Sequence, residues 1–99
     1  MDNILTVEKL EKYFDVTGRA KEKVLKLNKE KIESDNQIAD MFDMISRYYA
    51  DAQHFYKNKD FINAFAALNY AHGWLDCGAR LGYFDVDGDD VLFTVDGKE

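Results

Sequence analysis

Apolar residues recur through the first 82 positions at the three- and four-residue spacing of α-helices, and the spacing changes after Gly82. A first helical segment, predicted over about 6–33, opens on Thr6 as N-cap and places Val7, Leu10 and Phe14 on one face. Ala20, Val24 and Leu27 resume helical spacing beyond Gly18 on a different stripe, which predicts a bend or a change of packing partner near that glycine. A second segment, predicted over 35–57, begins with Ser34 and Gln37 at capping-box spacing. Its apolar face is Ile38, Met41, Phe42, Ile45, Tyr48, Tyr49, Ala52, Phe55 and Tyr56, and Asp40, Asp43, Arg47, Asp51 and His54 fall opposite.

Lys57–Asp60 reads as a short turn ending in a good N-cap, Asp60, so the second and third segments form an antiparallel hairpin. The third, over about 61–81, has two adjacent apolar faces. One is Phe61, Phe65, Leu68, His72, Leu75 and Ala79; the other is Ala67, Ala71, Trp74, Gly78 and Leu81. So wide an arc needs more than one neighbour: both other helices, with the tail or a second subunit as further candidates. Gly78 lies among small residues and reads as a site of close packing, whereas Gly73 has no cause visible in the sequence. Gly82 suits the left-handed position that closes a helix. Beyond it, Phe84, Val86, Val91, Phe93 and Val95 flank Asp87-Gly88, a hairpin-type turn dipeptide. The predicted architecture is all-α: an up-and-down three-helix bundle over 1–82, with an appendage over 83–99 packed on it as a short β-hairpin or extended tail.

Composition narrows the class. Ninety-nine residues, 46% hydrophobic and 32% charged, suit one small globular domain. No apolar run approaches the ~20 residues of a membrane span. The opening "MDNILTVEKLEKYF" lacks a basic region and an unbroken apolar stretch, so no signal peptide is expected. A lone cysteine, Cys77, forms no internal disulfide and suits a reducing cytoplasm. The net charge of −6 is concentrated in residues 83–99, which hold six acidic side chains and one basic. Lys21, Lys23, Lys26, Lys29 and Lys31 alternate with Glu22, Glu30 and Glu33, a solvated face rather than a phosphate-binding stripe. Nucleic acid and membrane are therefore not the expected partners.

The run "YYADAQHFYKNKDFINAFAALNYAHGWLDCGARLGYFDV" (Tyr48–Val86), with "KLEKYFDVTGRA" (Lys9–Ala20), resembles the archaeal domain-of-unknown-function family 357, most specifically in its "YAHGWLDCGARLG" segment. The resemblance implies a bundle of three helices and assigns no activity, catalytic residue or cofactor.

Four constellations could carry chemistry. His72, with Asp76 one turn on and Asn69 one turn back, could be an oriented general base or part of a ligand cluster with Tyr49 and Trp74. The plainer reading is a core histidine satisfied by Asp76 or by a hydroxyl from Tyr48 or Tyr49. Cys77 points away from it. Arg47 and His54, seven apart on the polar side of the second segment, resemble the Arg-x6-His pattern of HEPN ribonucleases, although Asp43, Arg47 and Asp51 equally make an ordinary ion-pair ladder. Asp85, Asp87 and Asp89 resemble the start of a calcium loop with Asp96 at position twelve, but Asp90 stands where the loop needs glycine and no glutamate closes it. Histidine and cysteine spacing gives no zinc site. Finally, "DFINAFAALNYA" has the small-residue rhythm of a single tetratricopeptide hairpin, a packing or partner-binding feature. The expectation is a non-enzymatic protein-interaction or self-association module, without cofactor. A HEPN-like ribonuclease using Arg47 and His54 and a small-ligand bundle around His72 are the alternatives.

Overall fold

A computed structural model describes residues 4–93. The Thr6 hydroxyl accepts the Lys9 N–H at 3.0 Å and starts α1, Val7–Leu27. Gly18 does not interrupt this helix. A methyl group there would lie 2.7 Å from the Tyr49 hydroxyl, so the glycine admits an aromatic side chain from a neighbouring helix. The chain breaks ten residues later, at Asn28, where φ is −124° and ψ is 24°. The single helix expected over 6–33 is thus two, the second being the short α2, Lys29–Ser34.

α3 spans Asn36–Lys57, and its N-cap is Asp35 rather than Ser34. The Asp35 carboxylate accepts the N–H groups of Gln37 and Ile38, while the Ser34 hydroxyl donates back to the Glu30 carbonyl inside α2. α3 ends with Lys59 in the left-handed region at φ 62°. The Lys59 and Asp60 N–H groups close onto the Tyr56 and Phe55 carbonyls, a Schellman pair. Asp60 caps α4, Phe61–Arg80, and the same closure recurs at its end around Gly82, φ 83°.

Most packing is between α3 and α4, then α1 and α4; α1 and α3 meet mainly through long aromatic side chains. Two apolar clusters result. One gathers Leu10, Ala52, Ala64 and Leu68 under Phe14, Tyr49, Phe55, Tyr56 and Phe65. The other gathers Ala20, Val24, Ile38, Phe42, Ile45, Leu75 and Ala79 with Phe84, Val86, Leu92 and Phe93 from beyond α4. On α1 the buried positions are Leu10, Thr17, Ala20 and Val24. They form one stripe once Thr17 is included, and its packing partner changes near Gly18 as expected, Leu10 lying in the first cluster and Ala20 and Val24 in the second.

The segment after α4 turns where expected but makes no ladder. Asp87 and Gly88 both have positive φ, 56° and 67°, and the Asp89 N–H closes onto the Val86 carbonyl. No strand forms among the described residues, and Val95, expected on the second arm, lies outside them. The backbone of Asp85 bonds instead to the buried Asn28, whose Oδ1 accepts the Asp85 N–H at 2.8 Å. Its Nδ2 donates to the Val24 and Asp85 carbonyls, both at 2.9 Å. With Asn28 satisfying this backbone, the apolar side chains insert into the end of the helical core. Burying a Phe84-sized side chain stabilises by about 1.5–3 kcal/mol.

Candidate functional site

Between the two apolar clusters lies a polar layer. Thr17 on α1 is 3% exposed, and its hydroxyl is 2.9 Å from Nδ1 of His72 on α4. On the other side of the ring, Nε2 is 3.7 Å from the Asp76 carboxylate. With the ring proton on Nε2, facing the acid, Nδ1 accepts from Thr17 and the buried hydroxyl is satisfied. The histidine partner is thus a threonine of α1 and not Tyr48 or Tyr49. A hydroxyl, an imidazole and a carboxylate in line have the composition of a nucleophilic relay, but such a relay needs a substrate beside the hydroxyl. Thr17 is buried, so its hydroxyl presents almost no surface to a substrate. What the arrangement does is bridge α1 to α4 and fix their register.

The cluster anticipated around His72 is divided over three surfaces. Tyr49 faces α1 beside Gly18; its hydroxyl donates to the Phe14 carbonyl at 3.4 Å, and burial, then Asp15 and Glu22, raises its pKa. It borders an open groove of about 440 Å³ shared with Phe14, Asp15, Gly18, Lys21 and Glu22. Asn69 and Trp74 border a separate shallow hollow with Tyr70, Gly73 and Cys77. Of the anticipated cluster only Asp76 stays beside His72.

Arg47 is taken up by Asp43, at 2.9 Å, and His54 by the Asn58 side chain, at 3.2 Å; no contact joins the two. In the acidic turn, Asp85 accepts the Asp87 N–H, and Asp89 accepts the N–H groups of Val91 and Leu92 while pairing with Lys23 at 2.9 Å. These bonds, led by the one from Leu92, hold the Asp89 pKa at about 2. Asp96 lies outside the described residues, and among those described no group of three His, Cys, Asp or Glu side chains could hold a metal ion. Among them, too, no helix is long and apolar enough to cross a membrane.

A different surface stands out once α4 is followed around its axis. Its inward positions Ala64, Leu68, Ala71, Leu75, Gly78 and Ala79 are all buried. Its outward positions Ile62, Ala66, Tyr70, Gly73, Cys77 and Leu81 are all exposed and all uncharged. Ile62 is 79% exposed, Leu81 65% and Tyr70 50%. Tyr70 is braced edge-on by Tyr48 of α3, ring centroids 4.5 Å apart, and by Trp74 at 6.4 Å. Gly73 sits mid-stripe, and a methyl group built on it would meet nothing within 4 Å. Leu81, expected inside, belongs to this outer face. The signal was available in the sequence: from Phe61 to Leu75 α4 carries no Asp, Glu, Lys or Arg on any side.

A family model described as "Protein of unknown function (DUF357)" matches residues 12–84. That span holds Thr17, Asn28, His72 and Gly73 and ends at Phe84. Neither a curated protein nor a solved structure matches the chain.

Proposed function

We propose that this chain, which belongs to the DUF357 family, is a non-enzymatic docking module that receives a helix of a protein partner on the outer face of α4. The single observation that carries this is Gly73. A helix-interior glycine costs about 0.5–1 kcal/mol relative to alanine. At Gly78 the neighbouring Phe84 ring accounts for that cost; at Gly73 nothing among the described residues does. A missing side chain at the centre of an exposed, uncharged stripe is what close approach of another backbone requires.

The scaffold behind the face is an up-and-down three-helix bundle of α1, α3 and α4, closed at one end by α2 and residues 84–93. The Thr17–His72 bridge and the Asn28 clamp keep α4 from rotating, so the stripe is presented rigidly and little ordering cost attaches to docking.

The test is photo-crosslinking. Purified chain with a photoreactive residue in place of Ile62, a large exposed side chain at the end of the stripe, added to an extract of the source cells, should give discrete protein adducts, and the same residue at the exposed Asp40 should not. Equal labelling at the two positions, or none at either, overturns the proposal.

A further inference from the structure

Resting on that docking face, we infer that its occupant is a second copy of this chain, with the two α4 helices antiparallel and related by a two-fold axis. The stripe is complementary to its own reverse. In sequence order the outward positions run large, small, large at Ile62, Ala66 and Tyr70, then absent, small, large at Gly73, Cys77 and Leu81. The spacings read the same from either end. Laid antiparallel, Ile62 meets the second copy's Leu81, and Ala66 meets the second copy's Cys77. Tyr70 then fits the gap left by the second copy's Gly73. The two-fold repeats each contact, which is how isologous dimers assemble. Tyr70 is already held by Tyr48 and Trp74, so the knob that fills the gap is fixed before docking.

Charge points to the same occupant. Two copies of a chain of net charge −6 repel across most of their surfaces. Along this stripe no side-chain charge opposes another, and Arg80 at its end lies across from the second copy's Asn63. Antiparallel helices also oppose their dipoles favourably, whereas a parallel pair aligns them. Area sets the strength. The stripe from Ile62 to Leu81 is about 29 Å long and, at one helix width, covers about 350 Å² per copy. That is below the roughly 800 Å² per partner of a stable complex, so a reversible dimer with a Kd of about 10–100 µM is expected.

Sedimentation equilibrium of the purified full chain from about 10 µM to about 1 mM spans that range. The mass should rise from one chain toward two and stop there. Gly73→Glu should stay monomeric throughout while melting no lower than the unmodified chain, because a Cβ there meets nothing among the described residues. Tyr70→Ala should weaken the dimer at least tenfold. Register is read by oxidation. An Ala66→Cys variant should link across to the second copy's Cys77 as a covalent dimer, whereas a parallel pair would instead link Cys77 to Cys77 in the unmodified chain. A chain that remains monomeric at about 1 mM, grows past two copies, or links Cys77 to Cys77 overturns the inference. If it is monomeric and the Ile62 adducts in extract persist, only the second copy is excluded; if those adducts are absent too, the docking face falls with it.

Discussion

Two glycines five residues apart on α4 show the two sides of this molecule. At Gly78 an added methyl carbon would collide with ring carbons of Phe84; at Gly73 it would lie in open space. The first glycine belongs to a surface whose every position is accounted for within the chain, from the Ala64–Leu68 contacts to the Asn28 clamp. The second belongs to a surface with the same uncharged character that none of the described residues covers. Identical residues on one helix thus answer to different causes: folding at Gly78 and, on the proposal above, association at Gly73. Substitutions on the two faces should separate stability from oligomeric state.

The largest effect is expected at the inner face. Phe84→Ala should cost about 3–5 kcal/mol, read as a lowered urea midpoint, because it empties a fully buried ring position. Gly78→Ala should cost about 1–3 kcal/mol, overpacking outweighing the gain in helix propensity. In a Phe84→Ala background the same glycine substitution should become neutral or stabilising, since the ring it strikes has gone. A double-mutant cycle showing simple additivity would break the assignment of Gly78 to Phe84.

Asn28→Ala should follow, at about 2 kcal/mol, by leaving the Asp85 N–H and carbonyl without their partner, while the Val24 carbonyl keeps the backbone N–H of residue 28. Amide exchange at Asp85 should quicken with it. Asn28 and Thr17 are also where the sequence was least legible. Caps involve residues two or three apart, so Thr6 and Asp60 could be read directly. The cap of α3 slipped by one residue because Ser34 and Asp35 are both good caps. Asn28 instead acts on Asp85, 57 positions away, and Thr17 on His72, 55 away. Nothing local marks such partners. A polar residue interrupting a buried stripe announces that a partner exists without saying which. The absent hairpin has the same origin: the Asp87-Gly88 turn is local and forms, but its flanking strands lost their backbone partners to Asn28 and their side chains to the helical core.

Acid offers a graded way to loosen the inner side alone. The folded-state pKa of Asp89, about 2, lies below its ordinary 3.8, chiefly through the Leu92 N–H and then Lys23. A depressed carboxyl pKa contributes stability that is complete above about pH 4 and is lost as the pH falls toward 2. Asp89→Asn should therefore flatten that limb of the stability profile while leaving the midpoint's response above pH 5 unchanged. An equally steep acid limb in the variant would show that the Lys23–Asp89 strap does not hold residues 84–93 on the bundle.

The smallest effect is the most telling. Gly73→Ala meets no obstruction among the described residues, so helix propensity should act, and the dilute monomer should gain about 0.5–1 kcal/mol. Thermal denaturation at low concentration would show that gain as a midpoint a few degrees higher. The same methyl group fills part of the gap offered to the second copy's Tyr70, so the dimer should weaken as the monomer strengthens. Opposite signs from one methyl group cannot come from a residue placed by drift on an idle surface. Stabilisation with association untouched would reduce Gly73 to an unexplained defect and remove the contrast with Gly78.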